Sequence, residues 1–343
     1  MPSPIQSSRD PLERCNGESR GRRALAGAAL LALLGIGCNP AETSAPVAAP
    51  TLARPVPEAA PPAVAATPPA PPGAADDARG GRLYDNWRAE KGLQGSFVPD
   101  ASKTRALDGK GGPNGNGTLD DGNGKPMPNV GHDYRLKNLF GWDLRGAEGI
   151  AGAAYQGKSH VLRHNLLTDT RSADELRAWL GKGDASLPAF GQVLDETDLN
   201  DLVTYIVKTR DGLLARPARI FSLDARAPNH YVLASGGDPA RGRERYAISC
   251  ADCHGDDGRN MTIDETQSVG SLSRSSAYEV WFKMLNGQPG TDMRRQILDQ
   301  NGPAQEQAIL DVLAALCDRT LFPAIAGSKD VRDGDPRCAG YLR

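Results

Sequence analysis

The sequence predicts a mostly α-helical protein whose folded part consists of two tandem helical domains. Apolar side chains recur at helical spacing over 278–285 and again over 304–318, where they would cover one face of a helix. The pattern Arg-Gly-Gly-Arg-Leu-Tyr at 79–84 is repeated as Arg-Gly-Arg-Glu-Arg-Tyr at 241–246, which indicates that the front segment is related to the rear one. The predicted domains cover 76–212 and 237–343, joined by a connector over 213–236.

The composition excludes several classes of protein. The 343 residues are 39% hydrophobic and 24% charged, which is enough apolar material for a buried core. The net charge of −2 gives no basis for binding nucleic acid. The sequence has no run of 18 apolar residues, so a multi-span membrane protein is excluded.

The first 37 residues have the features of an export signal. Arginines 20, 22 and 23 precede an apolar stretch from Ala24 to Ile36, which is too short to span a bilayer. Gly37 and Cys38 follow, and the arrangement resembles the lipobox of bacterial lipoproteins, although Gly35 stands where that family usually has Leu. The resemblance implies an exported protein, lipid-anchored at Cys38 on the periplasmic side of a bacterial membrane. The alternative is an ordinary signal peptide that is cut nearby.

Residues 39–75 form a low-complexity linker that cannot build a hydrophobic core. Ala or Pro occupies 24 of these 37 positions, and this composition favours extended polyproline II structure. Because the linker follows Cys38 directly, it would hold the folded part away from a membrane surface.

The most informative motif is Cys250-Ala251-Asp252-Cys253-His254, a C-x-x-C-H sequence. Two thiols on one turn can form thioether bonds with the two vinyl groups of one porphyrin, and the adjacent imidazole can then bind the iron from the proximal side. A thioredoxin-like redox pair would not need the histidine, and a zinc site would need a second pair of closely spaced ligands. The motif therefore predicts one covalently attached haem c.

The residues around this motif resemble class I cytochrome c. Gly242 and Tyr246 precede the motif with the Gly-x-x-x-aromatic spacing of that family's first helix, and a Gly/Asp loop follows it at 255–258. The resemblance covers about 237–320. It implies a helical domain whose first and last helices cross near the glycine, although the family's usual aromatic residue in the last helix is Leu316 here.

The sixth iron ligand is expected from a loop rich in Gly and Pro, which prevent a helix from continuing. Residues 286–293 resemble the loop in which class I cytochromes carry the distal methionine, and this makes Met293 the candidate ligand. Met284 is the rival, but it lies on the predicted helix before the loop and is expected in the core. Arg294 stands where the family often has Pro, and Met261 is expected at the surface.

The front domain resembles a cytochrome c domain that has lost its haem. Residues 187–206 resemble the methionine loop and final helix of the family, with Leu187 in place of the methionine. Residues 134–143 resemble the attachment segment, in which the two cysteines and the histidine are replaced by Leu136, Leu139 and Phe140. Apolar residues at all four positions indicate side chains that fill the volume of the missing porphyrin. The alternative is an unrelated helical domain with chance similarity.

Two further features of the front domain have the residue types of metal ligands. A long insertion that includes 108–124 alternates Asn or Asp with Gly and could wrap Ca²⁺, but it lacks the glutamate that closes an EF-hand loop. A flexible loop is therefore the preferred interpretation. His160 and His164 could share a metal ion if they lay on one helix, but no third ligand is evident, so surface or core histidines are preferred.

Cys317 and Cys338 remain after Cys15 in the signal, the candidate lipid site and the haem pair are assigned. In an oxidising compartment, an even remaining pair predicts a disulfide. The bond would tie the C-terminal tail to the last helix. The alternative is a pair of free thiols.

Together these features predict electron transfer, in the periplasm or at the cell surface, by a haem c with His254 and Met293 as axial ligands. Filling both axial positions leaves none open for a substrate, so an electron carrier is favoured over a catalyst. One alternative is the haem-bearing subunit of a periplasmic oxidoreductase of the sulfur-compound or peroxidase type. Another is a binding subunit whose front domain engages a redox enzyme. Redox partner proteins and a membrane anchor are expected as partners, and nucleic acid is not.

Overall fold

A computed structural model describes residues 74–93, 96–97, 111–127, 134–154, 161–263, 266–298 and 300–343. These residues belong to one compact unit and are mostly α-helical. The predicted export signal, Cys38, the Ala/Pro-rich linker up to residue 73 and His160 lie outside the described residues. Among those that are described, no helix has the length and apolar character needed to cross a membrane.

The front half of the folded part, defined as residues 76–212, is built from short helices. In the ranges described, they are α1 (Asp77–Glu90), α2 (Leu136–Phe140), α3 (Ile150–Ala154), α4 (Ala173–Lys182) and α5 (Glu196–Arg210). Ser172 and Asp195 each accept the backbone N–H of the third residue of the helix that follows. These capping boxes explain where α4 and α5 begin.

The connector leads from the front half into the rear half, which we define as residues 237–343. The connector contains α6 (Pro217–Ile220) and a small antiparallel sheet of β1 (Phe221–Leu223) and β2 (Tyr231–Leu233), in which Phe221 pairs with Leu233. The rear half contains α7 (Pro239–Ser249), α8 (Ala251–His254), α9 (Val269–Asn286) and α10 (Gly302–Leu316). α9 is bent at Ser276, where φ is −148° and ψ is 52°.

In both halves the first helix crosses the last helix at a glycine. A Cβ at Gly80 would lie 2.0 Å from the carbonyl oxygen of Asp201, and a Cβ at Gly242 would lie 1.9 Å from that of Asp311. No larger residue fits so close an approach. The two aspartates also accept the backbone N–H of the residue that caps the first helix, at 2.8 Å in the front half and 2.7 Å in the rear half. The crossing expected near Gly242 is therefore present, and Gly80 makes its counterpart.

A second correspondence between the halves lies one helical turn further on. Tyr84 donates its hydroxyl hydrogen to the carbonyl oxygen of Gly141 at 2.6 Å, and Tyr246 donates to that of Gly255 at 3.0 Å. The two glycines end α2 and α8 with almost equal backbone angles, φ 76° and ψ 160° in one case and φ 79° and ψ 161° in the other. α2 of the front half is therefore the counterpart of α8, the helix that carries His254.

A third correspondence concerns the loops after α4 and α9. The glycines that end these helices have φ 70° and ψ −176°, and φ 91° and ψ −176°. In the front half, Asp184 donates its N–H to the carbonyl oxygen of Leu187 at 3.0 Å. In the rear half, Gln288 donates to that of Met293, also at 3.0 Å. Leu187 therefore occupies the backbone position in the front half that Met293 occupies in the rear half.

α1 packs against helices of both halves. The ring of Tyr84 lies 5.8 Å from the ring of Tyr205 in α5, and it stacks at 5.8 Å on Phe282 in α9. All three rings belong to the buried hydrophobic core. The two halves therefore share apolar contacts along this helix.

The C-terminal tail is fastened to the rear half. Cys317 and Cys338 form a disulfide with a Cα–Cα distance of 5.9 Å, which confirms the predicted pairing. The hydroxyl of Tyr341 accepts the N–H of Gly237 at 2.8 Å and donates to the carbonyl oxygen of Ala234 at 3.0 Å. The tail therefore also contacts the chain just before α7.

Candidate functional site

The C-x-x-C-H motif spans the junction between α7 and α8. The carbonyl oxygen of Cys250 accepts the backbone N–H of Cys253 at 3.3 Å and that of His254 at 2.9 Å. The helix then ends at Gly255, whose φ of 79° is left-handed. One turn therefore holds the two thiols and the imidazole together, as thioether attachment to a single porphyrin requires.

The two thiols of this turn are free, whereas Cys317 and Cys338 are bonded to each other. Cys250 is half-buried and Cys253 is exposed. Burial raises the pKa of the Cys250 thiol to about 12, and the nearby Cys253 adds to the rise. Burial acts in this direction because it disfavours the thiolate.

His254 is half-buried at the end of the same turn. Burial lowers the pKa of its imidazole, which favours the neutral ring. Its Nδ1 is buried and has no hydrogen-bond partner in the described part of the chain. A neutral imidazole with a ring nitrogen that is not engaged is suited to binding a metal.

Met293 lies in the loop between α9 and α10 and is half-buried. Gly287 and Arg294 form an antiparallel bridge at the base of this loop. Met284 is 3% exposed in the core, and Met261 is 51% exposed at the surface. Of the three methionines in the rear half, Met293 alone combines a loop position with partial burial.

The matched positions of the two halves differ in burial. The front-half residues are 2% exposed or less, and they are Leu136, Leu139, Phe140 and Leu187. Their counterparts are all partly or fully exposed, and they are Cys250, Cys253, His254 and Met293. In the front half, the ring of Phe140 lies 5.9 Å from the ring of Trp179 and 6.5 Å from that of His164. The front half thus fills these positions with its own packed side chains, and the rear half keeps them accessible.

The donor set in the rear half fits a c-type haem. It consists of two free thiols, an adjacent imidazole and a thioether sulfur on a loop, which are the groups that covalent attachment and two iron ligands require. For a bare metal ion, no group of three or more His, Cys, Asp or Glu side chains converges within the residues described.

His164 lies in an irregular segment, so the helical pairing with His160 that a shared metal would need does not hold at this residue. Its Nε2 instead contacts Asp169 and Arg171. Burial alone would raise the pKa of Asp169, but hydrogen bonds from Arg171 and His164 outweigh it and lower the pKa to about 2. These three residues form an ion-pair network beside the Trp179 ring.

The described part of the insertion, 111–127, consists of turns and isolated bridges. The side-chain amide of Asn114 donates to Asp120 at 2.9 Å. Asp121 accepts the backbone N–H groups of Asn123 and Lys125 at 2.8 and 3.0 Å. One carboxylate oxygen of Asp120 and one of Asp121 are therefore engaged with donors of the loop itself.

Sequence reasoning missed one group of residues beside the site. Asp77 and Glu90 of α1 contact the loop that carries Met293. Charged residues at the two ends of a helix are common at protein surfaces, so no local pattern distinguishes them.

Comparison with known proteins yields no relative: no family model, no curated protein and no solved structure matches this chain.

Proposed function

We propose that this chain is an exported, monohaem c-type cytochrome that transfers single electrons between redox partner proteins. Its rear half would be a haem-binding domain of the class I cytochrome c type, and its front half a related domain without haem. The contrast between matched positions carries the proposal. Four apolar side chains are packed in the core of the front half, and at the same backbone positions the rear half has two free thiols, an imidazole and a thioether.

Each of the four rear-half residues has a distinct role in this proposal. Cys250 and Cys253 would hold the porphyrin through thioether bonds, His254 would be the proximal iron ligand and Met293 the distal one. Bound haem c supplies a one-electron redox centre. Because His254 and Met293 would fill both axial positions, the protein would exclude substrates from the iron and act as a carrier.

The location proposed for the protein is the periplasmic side of a bacterial membrane. The Cys317–Cys338 disulfide supports an oxidising compartment, because such bonds are rare in the cytosol. The predicted export signal and Cys38 support a lipid anchor, and the Ala/Pro-rich linker would give the folded part its distance from the membrane. The front half, which has no cysteine, would serve as a docking or spacing module for redox partners.

Haem content in matched double variants tests the proposal. The wild type should carry one covalent haem, which remains with the protein after denaturation and acid–acetone extraction. Cys250→Ala with Cys253→Ala should carry none. Cys317→Ser with Cys338→Ser is the matched control, since it also replaces two cysteines of the rear half, those of the disulfide, and should keep one haem. A double variant of the haem pair that still holds covalent haem would contradict the assignment.

The axial ligands separate the carrier from the oxidoreductase alternative. Ferrous wild-type protein should not bind carbon monoxide readily, whereas Met293→Ala should, because the substitution opens the distal position. Rapid binding of carbon monoxide by the wild type would instead favour the haem-bearing subunit of an oxidoreductase.

A further inference from the structure

α1 of the front half has a second packing face, directed toward the loop that carries Met293. Gly80 meets α5, and the next residue, Gly81, meets the end of α9. A Cβ at Gly81 would lie 2.1 Å from Cγ of Asn286. The front half is therefore in close contact with the start of the loop that runs from Asn286 to Arg295, which we call the Met293 loop.

The start of α1 holds the far end of the Met293 loop. Asp77 forms an ion pair with Arg295, two residues after Met293. Nε of Arg295 also donates to the carbonyl oxygen of Leu285 at 2.6 Å. Lys208 of α5 pairs with the other oxygen of Asp77 at 2.7 Å. The Arg295 side chain thus links the end of the loop to both α1 and α9.

The middle and end of α1 hold the first part of the loop. Arg82 donates to the carbonyl oxygen of Asn286 at 3.1 Å, and its Nε lies 3.0 Å from Glu90. Glu90 accepts the backbone N–H of Gly290 at 3.4 Å. The backbone is close enough here that a Cβ at Gly290 would lie 2.9 Å from the carbonyl oxygen of Ala89.

The contacts with α1 leave the Met293 loop little conformational freedom, because several of the contacting residues are buried. Arg82 is 6% exposed and Asn286 is 0% exposed. Leaving a buried charged or polar group without its partner is strongly unfavourable, so these contacts between α1 and the Met293 loop resist separation. The loop is fixed at Asn286, Gly290 and Arg295, and Met293 lies between the last two of these points.

The matched loop of the front half is held by a different segment. The long insertion donates the N–H of Gly122 to the carbonyl oxygen of Asp184 at 3.2 Å, and its Asp120 carbonyl accepts the N–H of Ala189 at 2.9 Å. In the rear half, three residues separate the tyrosine of the first helix from the C-x-x-C-H motif. The rear half therefore has no counterpart of this insertion at that point, and its Met293 loop is contacted by α1 of the front half instead.

We infer that α1 of the front half is a brace that fixes the Met293 loop, and that Asp77, Arg82 and Glu90 are positioning residues for the distal iron ligand. The inference rests on the proposed function, because Met293 can act on iron only when haem is bound. In this inference, the front half has no haem of its own but helps to position a ligand of the haem iron in the rear half. By holding the thioether ligand in place, the front half sets the fraction of protein with a closed distal position and contributes to the reduction potential.

The test compares variants of α1 in the full-length protein. Asp77→Asn with Glu90→Gln removes one charge at each end of the brace with little change in volume. Lys91→Gln is the matched control, since this side chain follows α1 directly but its ion pairs, among the residues described, are with Asp195 and Asp198 at the start of α5. Asp77→Glu keeps the carboxylate and should retain wild-type behaviour.

All four proteins should carry one haem. In the double variant, the fraction of ferrous protein that binds carbon monoxide should rise about tenfold, the ratio that corresponds to one charge-assisted hydrogen bond. Its reduction potential should fall, and amide hydrogen exchange over 287–295 should accelerate. The same acceleration is expected in haem-free chains that carry Cys250→Ala and Cys253→Ala. Lys91→Gln should match the wild type in every readout.

The outcomes separate the brace from the proposed function. A double variant that matches the wild type in carbon monoxide binding, potential and exchange would refute the brace and leave the proposed function intact. A wild-type chain without haem would overturn both. If the double variant fails to fold, Asp77→Asn and Glu90→Gln are measured singly. Each should shift carbon monoxide binding, reduction potential and hydrogen exchange in the direction expected for the double variant.

Discussion

Replacing Phe140 by alanine is predicted to lower the free energy of unfolding far more than the same replacement of His254, its counterpart in the rear half. The Phe140 side chain is 0% exposed and packs on the rings of Trp179 and His164. Phe140→Ala removes this packing and leaves a cavity, which lowers the free energy of unfolding by about 3–5 kcal/mol. His254 is half-buried, so in a haem-free chain His254→Ala should lower it by less than about 1 kcal/mol.

Both substitutions are compared in a chain that carries Cys250→Ala and Cys253→Ala, so that haem does not contribute. Unfolding in urea, followed by circular dichroism and tryptophan fluorescence, gives the two free energies. The expected difference of about 2–4 kcal/mol corresponds to about 4–16 °C in Tm for a folded region of this size. Met261→Ala, at a position 51% exposed, is the control and should change the free energy by less than about 0.5 kcal/mol.

The comparison has a clear refuting result. If Phe140→Ala costs no more than His254→Ala, then the front half does not fill the matched positions with packed side chains. The interpretation of the front half as a domain that replaced a porphyrin with its own core would then be wrong.

Three further predictions concern stability. Gly242→Ala would place a Cβ 1.9 Å from a carbonyl oxygen of α10, and the resulting strain, less the better helix propensity of Ala, should cost about 2 kcal/mol in urea unfolding. Cys317→Ser with Cys338→Ser removes a bond that joins positions 21 residues apart and should cost about 3 kcal/mol in thermal unfolding, with haem content unchanged. For Asp169, burial alone would raise the pKa, but hydrogen bonds lower it from 3.8 to about 2. Its carboxylate therefore stabilises the fold above its unfolded pKa of 3.8, and this contribution is lost as the pH falls toward 2. The unfolding free energies of wild type and Asp169→Asn should therefore converge as the pH is lowered from 3.8 to about 2.

Each of these predictions has its own contrary result. Gly340→Ala is the control for the helix crossing, because a Cβ there would meet nothing within 4 Å. A Gly242→Ala protein as stable as this control would contradict the crossing. Thermal stability that is unaffected by loss of the disulfide would contradict the second prediction. If the free energies of unfolding of wild type and Asp169→Asn changed in parallel with pH, the third prediction would be contradicted.

Residues with a strict local requirement were predictable from the sequence. A close helix crossing demands glycine, and the aromatic residue one turn later has a fixed spacing, so the sequence identifies Gly242 and Tyr246 together. The front-half repeat followed from the same requirement at Gly80 and Tyr84. Cys317 and Cys338 could be paired by elimination once the other cysteines had been assigned.

The contacts of the Met293 loop could not be predicted because their partners are distant in sequence. Asp77 and Arg295 are 218 positions apart, and Glu90 and Gly290 are 200 apart. Neither pair leaves a periodic or local signal. Only folding brings α1 of one half against a loop of the other.

The first part of α9 could not be predicted from the sequence, for a different reason. Residues 269–276 bury polar side chains, so they show no apolar stripe. Arg274 is 0% exposed, pairs with Asp330 at 2.7 Å, and donates to the carbonyl oxygens of Leu316 and Phe322 at 2.9 Å. Such burial of a charge is stable because tertiary partners satisfy it, and hydrophobic periodicity does not report those partners.

Intact-mass measurement of the mature protein, followed by peptide mapping, tests the central claim most directly. The account predicts the mass of one haem added to the chain and retained on the peptide that contains Cys250 and Cys253, with no pigment on any peptide of the front half. A mature chain without haem, or a haem bound anywhere else, would contradict it.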